Sequence, residues 1–447
     1  MRYAEALAYL QQLTKFGFNF GLDRIKELLR RMGDPHLSLR VIHIGGTNGK
    51  GSTLAMVASI LRAAGYRAGA FTSPHLHSYT ERFTVNGTQI SRRRVARLIA
   101  ALRPHLEGMV AEGYEHPTEF EVSTAIAFKF FLEERVDFLV LEVGLGGSID
   151  STNVVENPLV TVITNVSLDH MEYLGGTVAE IAEKKAGIIK RGVPLVTAAA
   201  DPEALSVIFR VAREKEAPVT RVLGLTGEGA EVPFSCRKVT FRGGEFSLAG
   251  QRLTVQGLKD EYENLFLPLL GRHQLANAAT AVAVAELLAE KGYGIGREAI
   301  YAGLAGAVWP ARLEVFWGEP AVVVDGAHNH DGARSLRRAL DDYFPDKGII
   351  LVLGMLQDKE HARVVDELVP RARAVVVTRP DSPRAEGWER VAEEARRHLP
   401  AVYAVESVKD ALARAFQLAG GQEVVVVTGS LYMVADARKI LKTKKRK

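Results

Sequence analysis

The segment VIHIGGTNGKGS, residues 41–52, places several glycines and one lysine directly after an apolar run. Glycines allow the backbone to approach an anion closely, and a helix beginning at Ser52 would direct free N–H groups and a positive dipole end toward it. Lys50 would add a mobile charge for the phosphates of a nucleotide. The segment departs twice from the pattern G-x-x-x-x-G-K-[ST], because Ile44 replaces its first glycine and Gly51 follows the lysine. It indicates either a phosphate site outside the common P-loop kinases and GTPases or a merely tight strand–helix turn.

Polar side chains also follow other apolar runs. Glu142 ends the run in FLVLEVGLGG, and Asp169 and His170 follow the run in TNVSLDHMEYLG. Open α/β sheets bind ligands at the carboxyl ends of their strands, and a carboxylate there suits Mg²⁺. The alternatives are an acid that faces solvent and a histidine that is simply packed. Ser73 in FTSPHL also follows a strand, but by itself it is typical of a turn before Pro74.

Two further segments carry side chains that could act on a nucleotide. Lys184 and Lys185 are adjacent on a predicted helix, which is typical of surface residues. In VVVDGAHNHDG, Asp325 and His328 again follow an apolar strand. Because such strand ends occur in both halves of the chain, we expect a cleft between two domains with a nucleotide bound in it.

The elements that must position these residues alternate between short apolar strands and helical patterns. We predict helices over residues 24–31, 52–64 and about 274–291, and buried strands in FLVLEVG and LVTVITNV. This alternation predicts a parallel sheet covered by helices on both faces. Residues 236–255 alternate apolar and polar side chains around glycines, which predicts antiparallel hairpins in a small sheet attached to the first domain.

The strand–helix rhythm restarts at AVVVDGAHN and continues through IILVLG, AVVVT, AVYAV and EVVVVTG. The stretch between Gly303 and Pro310 carries the glycine and proline expected of a boundary. We therefore predict an α/β protein with two domains, residues 1–305 and 306–447. The first is a P-loop-type, mostly parallel sheet domain with a small antiparallel sheet. The second is a smaller, Rossmann-like, doubly wound α/β domain.

Composition excludes several classes of protein. The chain has 447 residues, 47% of them hydrophobic and 25% charged, as in an ordinary globular protein of two or three domains. A net charge of +4 does not favour a dedicated nucleic-acid binder, and the basic run at 442–447 is expected to be a solvated tail. Cys236 is the single cysteine and cannot form an intrachain disulfide. Because the chain shows neither a signal-peptide pattern nor a long apolar run, we expect a cytoplasmic protein.

Taken together, the segments resemble the Mur ligase superfamily and, within it, the folylpolyglutamate synthase / dihydrofolate synthase family. The resemblance rests on HIGGTNGKGS, FTSPHL, ERFTVNG, PTEFE, LEVGLGGSIDSTN, SLDHMEYLG, EKKAGIIK, GRHQLANAATA, WPARLEV, VDGAHN and TGSLYMV. They occur in the family's order and span nearly the whole chain. The resemblance implies an ATP-dependent ligase that adds L-glutamate to dihydropteroate, to the γ-carboxylate of reduced folates, or to both. Such enzymes phosphorylate a carboxylate and then let the amine displace phosphate, releasing ADP.

The resemblance also implies roles for individual residues. The first domain becomes the ATP-binding central domain with the folate site, and the second becomes the ligase domain. For ATP, the matching residues are Asn48, Gly49, Lys50, Gly51, Ser52, Asn277, Arg312 and Asp325. For two Mg²⁺ ions they are Ser73, Glu142, His170 and Lys185, and for catalysis Lys50, Lys185 and His328. For the pterin or folate they are Thr118, Glu119, Phe120 and Asp150, with Gly21 to Arg24 as a covering loop.

Two positions need separate comment. The family's lysine at Lys185 is often carbamylated, which requires a neutral amine and therefore a lowered pKa. The family often has an arginine where Ser148 stands, so any contact of that arginine to an anionic substrate is lost here.

Other functions remain open at this point. The nearest is another Mur-family ligase acting on a cell-wall precursor, followed by a P-loop kinase or a nucleotide-gated binding module. An RNA-binding role for the basic tail is more distant. We expect small-molecule partners, no nucleic acid, no membrane and a monomer.

Overall fold

The computed structural model describes residues 1–14, 21–225 and 236–444. The helices are α1 (Tyr3–Leu13), α2 (Asp23–Arg31), α3 (Lys50–Ala63), α4 (Arg92–Ala111), α5 (Glu119–Glu133), α6 (Met171–Leu174), α7 (Val178–Ala186), α8 (Pro202–Glu214), α9 (His273–Glu290), α10 (Arg297–Ala305), α11 (His330–Tyr343), α12 (His361–Leu368), α13 (Glu389–Ala395), α14 (Val408–Leu418) and α15 (Leu431–Lys444). The strands are β1 (Val41–Gly45), β2 (Ala68–Phe71), β3 (Phe83–Val85), β4 (Thr88–Gln89), β5 (Phe138–Glu142), β6 (Val160–Ile163), β7 (Leu195–Thr197), β8 (Val219–Gly224), β9 (Arg237–Ser247), β10 (Gly250–Gln256), β11 (Glu261–Leu267), β12 (Glu314–Phe316), β13 (Ala321–Val324), β14 (Gly348–Leu353), β15 (Ala372–Val377), β16 (Val402–Ala404) and β17 (Glu423–Thr428).

The larger sheet has β1 near its centre. Among the described strands its order is β11-β10-β9-β8-β7-β6-β1-β5-β2-β3-β4. Strand β1 pairs in parallel with β5 and β6, and Ile44 lies opposite Glu142 on one side and Val162 on the other. Because these three strands end at the same level, the segments that follow them meet at one edge of the sheet.

The core lies on both faces of this sheet, as expected of strands without alternation. One buried cluster joins Ile42 and Ile44 to apolar residues of α3, α9 and α10. Another joins Leu139 and Leu141 to apolar residues of α2, α4 and α5. Because both faces are buried, β1 and β5 can expose polar groups only where they end.

The predicted antiparallel hairpins are present in β9, β10 and β11, which pair antiparallel with one another. They continue the large sheet instead of forming a separate one, because β9 pairs in parallel with β8. Pairing at that position covers a strand edge that would otherwise remain open.

The smaller sheet has the order β12-β13-β17-β14-β15-β16, with β12 antiparallel to β13 and the remaining pairs parallel. Buried clusters cover both faces, so the predicted doubly wound α/β architecture is confirmed. The predicted division at 305/306 falls between the strands of the two sheets and stays a prediction.

Helix α15 reaches Lys444, so the first half of the basic run at 442–447 is helical. Lys442 is exposed to solvent as expected, and 445–447 lie outside the described residues. Among the described helices, none combines the length and apolar character that crossing a membrane requires.

Candidate active site

The phosphate loop connects β1 to α3 and depends on glycine. Gly46 and Gly49 have φ values of 135° and 86°, which side-chain-bearing residues rarely adopt. A Cβ on Gly46 would lie 2.0 Å from Thr164 Oγ1, and one on Gly49 would lie 2.5 Å from Asn277 Oδ1. The loop therefore keeps its tight path only with glycine at these two positions.

Gly51, which departs from the common pattern, also has a packing reason. A Cβ there would lie 2.6 Å from the ring of Trp309. The hydroxyl expected after the lysine moves to Ser52, which is buried and accepts a hydrogen bond from Gln274 Nε2 at 3.2 Å. Gln274 also accepts from Asn277 Nδ2 at 2.9 Å, so the start of α9 packs against the start of α3.

Two lysines converge on the phosphate loop. Lys50 Nζ donates to the carbonyls of Gly46 and Thr47 at 3.1 and 3.0 Å, and Lys185 Nζ donates to the Gly46 carbonyl at 3.0 Å. Lys185 is only 4% exposed. Its burial, with the neighbouring charge of Lys50, lowers its pKa to about 7. The general expectation of a surface lysine is wrong for Lys185, whereas Lys184 is half-buried.

Glu142 and Ser73 lie side by side at the same edge of the sheet. Glu142 is 5% exposed at the end of β5, and its carboxylate accepts the backbone N–H of Ser73 at 3.1 Å. Burial raises the pKa of Glu142, while the positive charge of Lys50 opposes that rise. The structure therefore brings together two of the predicted metal ligands and the phosphate-loop lysine.

Asp169 joins the larger sheet to segments of the smaller one. Its carboxylate accepts from Lys359 Nζ at 2.7 Å and from Asn329 Nδ2 at 3.0 Å. The Nε2 atoms of His328 and His170 lie 3.8 and 3.9 Å away. Burial alone would raise the pKa of Asp169, but His328 and Lys359 outweigh it and hold that pKa well below its ordinary range. An ionised Asp169 thus links the two halves of the site.

His170 has the properties of a neutral ligand. It precedes α6 with φ of 51°, in the left-handed region. Burial lowers its pKa to about 4, so the imidazole is uncharged near neutral pH. A neutral ring nitrogen can bind a cation, and the metal role of His170 stays a prediction.

Amide side chains make a second connection across the cleft. Asn48 Nδ2 donates to Asn329 Oδ1 at 3.2 Å and to Asp331 Oδ2 at 3.1 Å. Asn165 Nδ2 donates to the same Asp331 oxygen at 3.0 Å, and its Oδ1 accepts from Asn48 N at 2.7 Å. The phosphate loop is thereby tied to the N-terminal end of α11.

A cavity of about 900 Å³ lies between these groups. Every residue predicted for ATP, metal or catalysis lines it, namely Asn48, Gly49, Lys50, Gly51, Ser52, Ser73, Glu142, His170, Lys185, Asn277, Arg312, Asp325 and His328. The cavity has the size and mixed lining of a small-molecule site.

Asp325 has a structural task within this cavity. Its two carboxylate oxygens accept the backbone N–H groups of Leu313 and Ala327, each at 2.8 Å. It therefore fixes the loop that carries Arg312. A contact between Asp325 and the ribose of ATP stays a prediction.

The four predicted pterin residues do not line this cavity. Thr118 caps α5 by accepting from Glu121 N at 3.3 Å. Glu119 accepts from Arg82 Nη1 at 3.3 Å, and the ring of Phe120 fills the space beside Gly144. Thr118 and Glu119 therefore make their contacts at the start of α5, and Phe120 packs against the loop that follows β5.

Asp150 and the covering loop are also engaged in internal contacts. Asp150 is 4% exposed and accepts from Leu145 N at 2.8 Å. The predicted covering loop is partly helical, because Asp23 and Arg24 belong to α2, and Arg24 donates to Glu121 at 3.3 Å and to Glu115 at 3.1 Å. A pterin role for this region stays a prediction.

Sequence reasoning missed several residues of the site, namely Asn165, Asn329, Asp331 and Lys359. Asn165, Asn329 and Asp331 lie within TNVSLDHMEYLG and VVVDGAHNHDG, the segments in which it singled out other residues. Lys359 follows the end of β14, so the rule about strand ends was the available signal. Its partner, Asp169, is too distant in sequence to suggest the pairing.

The donor set fits magnesium that is shared with phosphates. No group of three or more His, Cys, Asp or Glu that could hold a metal ion by itself occurs among the described residues. Mg²⁺ usually takes only one or two protein carboxylates and completes its coordination with phosphate and water. Glu142, a single carboxylate that lines the cavity beside Ser73, matches that requirement.

Two family models and a curated relative match this chain. The Mur ligase middle domain matches residues 44–285, and the glutamate ligase domain of Mur ligases matches residues 311–431. The dihydrofolate synthase/folylpolyglutamate synthase of Bacillus subtilis is 39% identical over 98% of this chain and 99% of its own length.

Solved structures match over nearly the whole chain as well. Folylpolyglutamate synthase from Thermotoga maritima is 36% identical with a TM-score of 0.83, over 99% of this chain and 97% of that chain. The Mycobacterium tuberculosis folylpolyglutamate synthase complexed with ADP is 33% identical with a TM-score of 0.89, over 98% and 99%. The chain therefore belongs to the Mur ligase family and, within it, to the folylpolyglutamate and dihydrofolate synthases.

Proposed function

We propose that this protein is an ATP-dependent ligase that joins L-glutamate to dihydropteroate, to the γ-carboxylate of reduced folates, or to both. The observation that carries the proposal is the composition of the central cavity. It combines a phosphate loop, a Ser73–Glu142 pair and the buried Lys185 on one side with Arg312 and His328 on the other. The match to ligases of this specificity over almost the whole chain supports the same conclusion.

The reaction has two steps, and each builds negative charge in this cavity. A carboxylate is a poor electrophile, so the γ-phosphoryl group of ATP is first transferred to a substrate carboxylate oxygen, giving an acyl phosphate and ADP. The uncharged amine of glutamate then attacks the carbonyl carbon, the C–O bond to phosphate breaks, and the amine loses a proton. The loop amides and Lys50 bind phosphates, while Arg312 and His328 face the same space from the second sheet. Preorganised donors and cations at developing charge lower both barriers.

We propose Ser73 and Glu142 as ligands of one Mg²⁺, and His170 with Lys185 as ligands of a second. Bound magnesium would neutralise phosphate charge and polarise the phosphoryl group. The chain's own part is to hold these donors at one edge of the sheet, where β5 and β6 end next to the phosphate loop.

We also propose that Lys185 is carbamylated. Its neutral amine would add to CO₂, forming an N–C bond and releasing one proton, so that a cation becomes a carboxylate-like oxygen ligand. The buried position and the pKa of about 7 supply the neutral amine that this reaction needs.

The contacts across the cleft support a catalytic arrangement that is assembled by closure of two domains. Asp169 contacts Lys359 and Asn329, and Asn48 contacts Asp331. Closure would bring the second sheet's groups to the nucleotide and exclude water from the acyl phosphate.

The test is ADP release in the presence of Mg²⁺, ATP and L-glutamate, with dihydropteroate and tetrahydrofolate in parallel reactions. Activity with both acceptors would indicate a bifunctional synthase, and activity with one would assign the enzyme to that step. A ligase sustains the release of ADP and phosphate only when carboxylate and amine are both present, whereas a kinase would leave a stable phosphorylated product. Stimulation only by a UDP-linked muropeptide would instead favour a cell-wall ligase.

The proposed partners are small molecules only, and we propose a monomer. Sedimentation of the purified protein with and without ATP measures that state directly. A dimer in both conditions would contradict it.

A further inference from the structure

His43 is a buried titratable residue to which the proposed mechanism gives no task. It lies on β1, with no exposed surface, three residues before the phosphate loop begins at Gly46. Its Nε2 lies 2.9 Å from Thr152 Oγ1, and its Nδ1 has no hydrogen-bond partner within the described part of the chain. Burial lowers the pKa of His43 to about 3, so the ring is neutral near physiological pH. A neutral histidine held by a single hydrogen bond in the core requires an explanation.

Further hydrogen bonds connect Thr152 to Asp150. Thr152 Oγ1 donates to Asp150 Oδ1 at 2.5 Å, and Thr152 N donates to the same oxygen at 2.9 Å. The other oxygen, Oδ2, accepts from Leu145 N at 2.8 Å. Thr152 has no exposed surface and Asp150 is 4% exposed, so the row His43–Thr152–Asp150 is closed to solvent.

Only one arrangement of protons satisfies this row well. A threonine hydroxyl has one proton, and if it donates that proton to the Asp150 carboxylate it must accept one from His43. His43 then carries its proton on Nε2, and Nδ1 keeps a lone pair. In the reverse arrangement Asp150 is protonated and His43 leaves an N–H unpaired in the core, a costlier defect than an unpaired lone pair. Burial raises the pKa of Asp150, and the Thr152 hydroxyl with the backbone N–H groups of Leu145 and Thr152 opposes that rise by favouring the ionised form.

The row stabilises a loop that belongs to the active site. Residues 144–146 of this loop line the central cavity. Ser148 N donates to the Lys184 carbonyl at 2.7 Å, and a Cβ on Gly147 would lie 2.8 Å from the Lys185 carbonyl. The loop therefore packs directly on the end of α7, the helix that carries Lys185.

We infer that His43 is a positioning residue, whose Nε2–H holds the Thr152 hydroxyl toward Asp150 and so fixes the loop between the end of β5 and Lys185. This inference rests on the proposed function for its catalytic consequence, but the arrangement of protons can be measured without any substrate. His43 itself touches none of the reacting groups.

The first test compares two substitutions of His43. Gln places an amide N–H at the same distance along the side chain as Nε2, whereas Leu keeps apolar volume and removes the donor. We expect H43L to lower kcat/KM for the pteroate or folate substrate about tenfold, as loss of one hydrogen bond of ordinary strength would. We expect H43Q to stay close to the wild type, and the KM for ATP to change little in either variant. Equal losses in H43Q and H43L, or none in H43L, would overturn the inference.

The second test uses ¹⁵N NMR of the histidine rings in the unliganded full chain. The wild type should show His43 as the Nε2–H tautomer, and T152V should shift its ring resonances because the acceptor is gone. An Nδ1–H tautomer in the wild type, or no change in T152V, would refute the inference. Because this measurement needs no turnover, it distinguishes absence of the His43–Thr152–Asp150 hydrogen bonds from absence of the proposed ligase activity. It also remains decisive if H43L does not fold.

Discussion

Replacement of Lys185 by alanine tests the role of this buried amine, whose pKa is lowered to about 7. An ordinary lysine, with a pKa of about 10.4, is less than about 1% neutral at a pH of about 8. With its pKa lowered to about 7, Lys185 is about 90% neutral at that pH, a gain of more than about a hundredfold in the amine that can capture CO₂. The neutral fraction of Lys185 rises as pH increases through about 7. Carbamate formation at fixed dissolved CO₂ should therefore increase over the same range of pH.

We expect K185A to lose about 10²- to 10³-fold in turnover, the usual cost of removing one preorganised group that stabilises developing charge. Lys184 provides the matched control, since it precedes Lys185 on the same helix but does not line the cavity, so K184A should retain nearly full turnover. The assay is ADP release with both substrates, repeated with added acetate, which should partly restore K185A by standing in for the carbamate.

The modification itself is checked by ¹³C NMR after equilibration with labelled CO₂. We expect a bound carbamate signal in the wild type and in K184A but not in K185A. Full turnover in K185A, or a fully active wild type without that signal, would refute the reasoning.

Three further substitutions address other parts of the site. K359M should destabilise the fold by about 3 kcal/mol because it leaves the buried carboxylate of Asp169 without the lysine cation. In thermal unfolding, the double variant of K359M and D169N should lose less stability than the sum of the losses in the two single variants, and additive losses would contradict the pairing. D325A should raise the KM for ATP and cost about 1–3 kcal/mol of stability, because two backbone N–H groups lose their acceptor; an unchanged KM would count against its nucleotide role. E142Q should raise the Mg²⁺ concentration needed for half-maximal activity, and an unchanged Mg²⁺ titration would remove Glu142 from the metal site.

The sequence predicted those features that depend on local pattern and chain order. The buried strands before Glu142 and Asp169 are apolar without alternation, and this pattern alone indicates a parallel sheet with both faces covered. In such a sheet the segments after the strands meet at one edge, so the neighbourhood of Lys50, Glu142 and His170 could be predicted before any coordinate was known. The residue roles needed more, namely the resemblance carried by many motifs in the family's order.

The sequence pattern did not predict those contacts that depend on pairing between distant segments. The hairpins of residues 236–255 were predicted, but periodicity does not specify which strand edge they cover. The connection of Asp169 to Lys359 joins positions 190 residues apart, and no local signal marks it.

Burial was decided by the tertiary structure alone. Lys184 and Lys185 are indistinguishable by composition, yet the orientation of α7 against the phosphate loop directs one amine to the Gly46 carbonyl. The pKa of Lys185, and the proton arrangement of His43, follow from which non-local groups exclude water around them. The sequence alone determined which chemical groups reach the edge of the sheet, whereas the packing of distant segments determined their charge, since the free energy of ionisation depends on the surroundings.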